Sequence, residues 1–155
     1  MPRKIMNVIE SRCVGCRICE QWCSYSHGRV NSPSTTNIRA LRIHHAYRNA
    51  PVVCRQCGKP ACITACAFGA LTVDAKTGAV LVNERKCTAC RLCMQACPYG
   101  AVNYDSRVKT ARICDLCGGN PQCVAHCPEQ ALEYRDETAI IEERRRNLAE
   151  KRGGK

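Results

Sequence analysis

The sequence is short of the residues that build a hydrophobic core. Leu, Ile, Val and Phe together supply 28 of its 155 residues, with a single Phe among them. A share of about 18% with high net charge is the range of disordered chains, so side-chain burial alone does not account for a folded protein here. No apolar stretch approaches the ~20 residues of a membrane-spanning helix. Met1 to Glu10 holds the basic Arg3 and Lys4 but no apolar segment and no small-residue cleavage pattern, so an export signal is not expected. A G-x-G-x-x-G turn following a strand is also missing, which removes the usual dinucleotide-binding fingerprint. Together these absences lead to the expectation of a cytoplasmic chain without a membrane span.

Cysteine is what the sequence has instead, at 16 residues. Small domains short of core depend on disulfides or bound metal. A disulfide scaffold belongs to oxidising compartments, whereas a reducing one leaves the thiolates free as metal ligands. The cysteines fall into four groups with none left over. Cys13, Cys16, Cys19 and Cys23 are spaced C-x2-C-x2-C-x3-C. Cys54, Cys57, Cys62 and Cys66 are spaced C-x2-C-x4-C-x3-C. Cys87, Cys90, Cys93 and Cys97 repeat the first spacing and are followed by Pro98. Cys114, Cys117, Cys123 and Cys127 are spaced C-x2-C-x5-C-x3-C and are followed by Pro128.

The third group is the full C-x2-C-x2-C-x3-C-P run of a bacterial iron–sulfur site. Three close cysteines let a tight loop wrap one face of a cubane, while the fourth points away and ligates the other cluster of a pair. Zinc ribbons instead pair two C-x2-C knuckles across a long spacer, and the repeated x3-C step has no purpose in such a site. Four [4Fe–4S] clusters are therefore the expected cofactors. The net charge of +11 would suit a zinc-bearing nucleic-acid binder. An oxidised cluster with its four thiolates carries about −2, however, so four would bring the total to about +3. The basic excess is read as compensation, and no nucleic-acid partner is expected.

Between the groups the chain reads as short β-hairpins. Phe68–Val73 and Ala79–Val82 flank a turn at 74–78, and Tyr99–Tyr104 turns at Asp105-Ser106 into 107–113. Ile5–Ile9 and Ala131–Tyr134 would pair, bringing the first and fourth groups together. Ile38–Ile43 alternates like a strand after a loop at 32–37. Residues 136–155 are charged and helix-prone, with Ile140, Ile141 and Leu148 as a candidate face for a partner subunit or a second copy.

These motifs resemble the four-cluster, ferredoxin-type electron-transfer subunits of multisubunit oxidoreductases: molybdenum and tungsten pterin enzymes, hydrogenases and carbon monoxide dehydrogenases. The stretches that carry the likeness are Pro51 to Cys62, the hairpin with Thr77-Gly78, and Cys97-Pro98-Tyr99-Gly100-Ala101. The short loops and lack of a membrane anchor look more like the small soluble members, including those that partner tungsten aldehyde oxidoreductases. The resemblance implies an α+β fold of two intertwined bacterial ferredoxin-like dicluster modules: residues 1–23 with 107–135 outside, 54–106 inside, 24–53 as an insert and 136–155 as a helical tail. It also implies the ligand sets. Cys13, Cys16 and Cys19 would share a cluster with Cys127, and Cys114, Cys117 and Cys123 one with Cys23. Cys54, Cys57 and Cys62 would share one with Cys97, and Cys87, Cys90 and Cys93 one with Cys66. Ser24 and Ala67 stand where the family often has Pro after the fourth cysteine.

With every cysteine set full, no iron is left open for substrate, so a non-catalytic electron carrier is expected. A larger pterin-dependent catalytic subunit would be its partner, with self-association or a flavin subunit as further options. A stand-alone electron shuttle is the alternative. His27, His44, His45 and His126 are read as core or surface residues, because histidine ligation marks a two-iron cluster type. Trp22 and Tyr25 are expected to pack over a cluster. Arg12, Arg17, Arg55, Lys86 and Arg91 lie in or beside the cysteine groups, where cations would raise a cluster's potential or simply face solvent.

Overall fold

The computed structural model describes residues 3–43 and 48–153; His44 and His45 lie outside the described residues. The fold is α+β, made of short helices and four separate two-stranded antiparallel sheets. The first strand, β1 (Lys4–Val8), pairs with the last, β8 (Leu132–Asp136), with Lys4 opposite Asp136 and Val8 opposite Leu132. Pairing of the two terminal strands is what the apolar runs at both ends predicted. It brings the first and fourth cysteine groups to one side of the protein.

A helix, α1 (Ile18–Gly28), begins inside the first cysteine group and runs past Cys23. The spacing did not predict a helix there. Cys19 and Cys23 lie four residues apart on its buried face. A 3-10 turn at Pro33–Thr35 then leads into β2 (Ile38–Ile43) and β3 (Arg48–Val53), paired with Ile38 opposite Val53. Alternation gave β2. The strand β3 was not expected, because Pro51 within it argues against a sheet interior. In a two-stranded sheet both strands are edges, so Pro51 is tolerated opposite Ala40.

Helix α2 (Ala61–Thr64) lies within the second group and carries Cys62, and the hairpin β4 (Leu71–Val73) and β5 (Val80–Val82) leads to the third. After α3 (Leu92–Ala96), β6 (Asn103–Asp105) pairs with β7 (Thr110–Arg112). The turn of this hairpin sits at 106–109, later than the Asp105-Ser106 step suggested. Asp105 is instead the last residue of β6, fully buried, and accepts from Arg107 and Arg112. Helix α4 (Gln122–Ala125) precedes β8, and α5 (Glu137–Gly153) closes the chain. Of the three apolar residues on α5, only Ile140 is buried, while Ile141 and Leu148 are exposed. The start of α5 is held to the body by Arg135–Glu143 at 2.9 Å and by Arg144 donating to Asn7 Oδ1 at 3.1 Å.

Two apolar cores result, and cysteine is a major component of each. One gathers Met6, Ile38, Val53, Leu116 and Leu132 around Cys19, Cys23, Cys114 and Cys123. The other gathers Leu71, Val80, Val102 and Ile113 around Cys62 and Cys93. Cys54 packs against both. At about 1.5–3 kcal/mol per buried aliphatic side chain, so few such residues leave the interior dependent on whatever the thiols hold.

Candidate metal centre

Each cysteine group starts with the same backbone device. The residue before the second cysteine is left-handed in all four: Gly15 at φ 74°, Gln56 at 45°, Ala89 at 60° and Leu116 at 59°. In the two groups with C-x2-C-x2-C spacing, the residue after that cysteine is left-handed too, Arg17 and Arg91, both at φ 61°. Left-handed non-glycine residues persist only where the surroundings over-determine them. Here they curl the loop so that successive thiols face one point.

The structure brings together thiols from different groups. One small cavity is lined by Cys13, Cys16, Cys19 and Cys127. A second is lined by Cys54, Cys57, Cys62 and Cys97. A third is lined by Cys66, Cys87, Cys90 and Cys93. Their remaining walls are mostly apolar, from residues such as Leu132, Val80, Ile113, Leu71 and Met94. Cys23, Cys114, Cys117 and Cys123 are mutual neighbours as well: the thiolate charges of Cys23 and Cys117 bear on Cys123, and those of Cys123 and Cys23 on Cys114.

Burial, followed by the charge of neighbouring cysteines, pushes these thiols up: Cys54 and Cys93 to about 11, and Cys114 and Cys123 well above the usual thiol range. Cys19 rises to about 12, from burial first and then the charges of Glu20, Cys16 and Cys127. Thiolates in such places need a cation to balance them, which bound metal supplies. The donors are all sulfur, and zinc would draw four sulfurs in to about 2.3 Å from one ion. Among the described residues no three of these sulfurs lie within 4.8 Å of one another, wider than one zinc ion draws its ligands, which suits a larger inorganic core. The residues present therefore fit [4Fe–4S] clusters.

Backbone N–H groups reach the sulfurs directly. After the fourth cysteine of the last three groups, the chain makes one repeated turn. Gly69 N–H donates to the Cys66 carbonyl at 3.2 Å, Gly100 N–H to that of Cys97 at 3.2 Å and Gln130 N–H to that of Cys127 at 3.1 Å. The next N–H then donates to sulfur: Ala70 to Cys66 Sγ at 3.3 Å, Ala101 to Cys97 Sγ at 3.4 Å and Ala131 to Cys127 Sγ at 3.3 Å. Cys23 Sγ accepts instead from the Asn37 N–H at 3.2 Å, fourteen residues on.

Two polar features escaped the sequence reading. His27 donates from Nδ1 to the Cys23 carbonyl at 2.7 Å and from Nε2 to Asp115 Oδ1 at 2.9 Å. Asp115 Oδ1 also accepts from the Cys117 N–H at 3.0 Å. The Asp115 hydrogen bond first, and then Cys23, hold His27 protonated up to about 11 against the effect of burial. Burial works to raise Asp115, but the hydrogen bonds from His27 and Cys117 outweigh it and leave the carboxyl below its usual range. This clamp ties α1 to the fourth group. Trp22 stacks on His126 with ring centroids 3.5 Å apart, and Tyr25 meets Trp22 edge-on. Among the cations, Arg91 lies over the Tyr104 ring at 4.2 Å, while Arg12, Arg17 and Lys86 are exposed.

The comparisons with known proteins agree with this chemistry. The 4Fe-4S dicluster domain family matches residues 45–137. The polyferredoxin-like subunit of aliphatic sulfonate oxidoreductase from Pyrococcus furiosus is 43% identical over 122 residues, covering 79% of this chain and 70% of that protein. Formate hydrogenlyase subunit 2 of Escherichia coli is 31% identical, covering 88% of this chain and 84% of that protein. The beta subunit of NADH-dependent phenylglyoxylate dehydrogenase from Aromatoleum evansii is 32% identical over 80% of this chain, which spans only 28% of that longer protein. A chain from the BamBC active site complex of benzoyl coenzyme A reductase has a similar fold, with a TM-score of 0.54 at 21% identity over 96% of this chain and 91% of that one. The chain belongs to the 4Fe-4S dicluster domain family, and is a ferredoxin-type electron-transfer protein of the kind found as subunits of oxidoreductases.

Proposed function

We propose that this chain holds four [4Fe–4S] clusters in a row and conducts electrons between a larger catalytic subunit and a second redox partner. The ligand sets are Cys13, Cys16, Cys19 with Cys127; Cys114, Cys117, Cys123 with Cys23; Cys54, Cys57, Cys62 with Cys97; and Cys87, Cys90, Cys93 with Cys66. Each set takes its fourth thiol from another group, which interlocks two dicluster modules.

The observation that carries this reading is the order of exposure along the row. Cys16 and Cys90 are exposed, and every other cysteine is buried or half-buried. They belong to the two outermost sets. In the middle, Cys54 and Cys114 approach closely enough for the charge of one to raise the other. A row with covered middle sets and one exposed thiol at each end suits entry at one end and exit at the other. A bound cluster would supply one-electron chemistry with little movement of its ligands. The protein's own residues hold the sulfurs, exclude water with apolar walls and donate N–H groups to sulfur.

The partner is proposed to be a molybdenum or tungsten pterin enzyme. The pterin follows from the family resemblance of the cysteine motifs; the likeness to a subunit of aliphatic sulfonate oxidoreductase supports a catalytic oxidoreductase partner. A cytoplasmic setting is proposed with it, since a reducing compartment keeps cysteines available as thiolate ligands. No described helix is long and apolar enough to cross a membrane. Iron and sulfide analysis of anaerobically purified protein tests the cluster number: about 16 of each per chain are expected, with cubane signals in low-temperature electron paramagnetic resonance after dithionite. Protein that is folded, colourless and loaded with zinc defeats the reading. Co-purification with a larger subunit separates a resident carrier from a free shuttle.

A further inference from the structure

The joint between the two inner cysteine sets contains a polar side chain that the cysteine motif does not require. Gln56 lies between Cys54 and Cys57, in the left-handed position that precedes the second cysteine of its group, and is 1% exposed. Its Oε1 accepts from the Met6 N–H of β1 at 3.3 Å. Its Nε2 is buried and finds no acceptor among the described residues. Leaving a buried donor unmade is expensive, and buried polar groups are as a rule paired. The equivalent residue of the fourth group is Leu116, apolar and fully buried. The same backbone position thus carries a donor on one side of the joint and none on the other.

The surroundings restrict what this donor can meet. Met6, whose N–H donates to the other end of the amide, packs in the core that holds Cys114 and Leu116. Cys54, two residues before Gln56, packs against both cores. The Gln56 backbone N–H already bonds to the Cys54 sulfur, so sulfur is within reach of this residue. We infer that the Gln56 side-chain amide donates a hydrogen bond to cluster sulfur at the joint and sets the potentials of the two inner clusters apart. A donor to sulfur stabilises the more negative, reduced state and raises the potential. Leu116 provides no such donor. The inference rests on the four-cluster reading proposed above.

The test is a potentiometric titration of the full, anaerobically purified protein, followed by electron paramagnetic resonance. Gln56→Met keeps the volume and removes the donor, and Gln56→Leu reproduces the residue of the fourth group. In either variant one of the four reduction steps is expected to become about tenfold less favourable, about 59 mV for a one-electron couple, while the other three stay in place. A merely structural role for Gln56, bridging to Met6, would lower thermal stability and leave all four steps unmoved. That result in a variant with full iron content overturns the inference, as does failure of both variants to hold four clusters. Wild-type protein without about 16 irons and four steps would defeat the cluster reading itself, which keeps the two failures distinct.

Discussion

After Cys66, Cys97 and Cys127 the chain turns back at once, whereas after Cys23 it continues as helix to Gly28. The three turns read C-A-F-G-A-L, C-P-Y-G-A-V and C-P-E-Q-A-L. Each places a left-handed residue third, then presents a buried alanine N–H to the sulfur of its own cysteine. The first group has no such turn. Its sulfur receives an N–H from Asn37, at the entry to β2, and its helix is tied to the fourth group by His27 and Asp115. Both routes end in an N–H on the fourth sulfur of the group. The segment between the first two groups therefore does for Cys23 what three residues of turn do elsewhere. The departure at Ser24, where the family often has Pro, has the same origin. A proline at 24 would sit inside α1, and serine there bonds to the loop that the helix supports. Its hydroxyl donates to the Val30 carbonyl, accepts from the Ser32 N–H at 2.8 Å and lies 2.6 Å from Thr35 Oγ1.

The sharpest break of this comparison is Ser24→Pro. Proline in a helix interior costs about 3 kcal/mol or more, by a lost hydrogen bond and a clash with the preceding turn. In this position it also removes the hydroxyl network. The expected outcome is loss of the cluster proposed to use Cys23, read as a fall of about four irons and four sulfides per chain. Full iron content with an unchanged thermal midpoint would show that α1 does not have to pass through residue 24 intact.

Of the turns after Cys66, Cys97 and Cys127 the sequence reading noted only Pro98 and Pro128, and the long route from Cys23 was not read at all. Spacing alone gave the four groups, and apolar runs gave the pairing of β1 with β8, the β4–β5 hairpin and β2. Helix α1 has few strong helix formers and takes its buried face from Cys19 and Cys23, so apolar periodicity did not reveal it. Strand β3 was hidden by Pro51. The sets of thiols came from the family resemblance, since spacing does not say which group lends its fourth cysteine to which. The contacts of His27 with Asp115 and of Gln56 with Met6 join residues 88 and 50 positions apart. Nothing local marks either pair.

Ser24→Ala is the milder cut at the same place. The side chain is 1% exposed, so its partners lose hydrogen bonds without gaining water. An unsatisfied buried group costs about 1–3 kcal/mol, which for a chain of this size lowers the thermal midpoint by about 2–4 °C per kcal/mol. Helix α1 itself should persist, so iron content stays at the wild-type level while absorbance of the bound clusters bleaches sooner in anaerobic guanidinium. An unchanged bleaching rate would mean that the loop after α1 is held by its other contacts, such as Thr35 Oγ1 donating to the Ser32 carbonyl at 2.9 Å.

Within the three repeated turns, one member differs in a way that can be corrected. Gly69 and Gly100 hold the left-handed position at φ 59° and 60°, but Gln130 holds it at 48°. A left-handed side chain costs about 1–2 kcal/mol, partly offset by the greater chain entropy that glycine loses on folding. Gln130 is exposed, so Gln130→Gly should be stabilising by about 0.5–1 kcal/mol. The reverse change, Gly69→Gln, should destabilise by a similar amount. A Cβ at residue 69 meets nothing within 4 Å, so that loss reflects backbone conformation alone. Equal thermal midpoints for both variants and the wild type would mean that the turn is not held in the left-handed region in solution.

The smallest effect has the opposite sign to the largest. Ala67 occupies the step that Pro98 and Pro128 fill in the other two turns, and all three turns close with nearly the same hydrogen bond. Cys97, which precedes Pro98, is extended at φ −78°, ψ 112°, the backbone that a following proline prefers. Ala67→Pro should therefore be accepted. By restricting the unfolded chain it should add about 0.4–1 kcal/mol, with iron content unchanged and a slightly higher thermal midpoint. The same substitution thus removes a cluster after Cys23 and steadies the fold after Cys66, because one chain continues as helix and the other turns. Loss of iron from Ala67→Pro would place Cys66 with Cys23 and dissolve the distinction between the two routes.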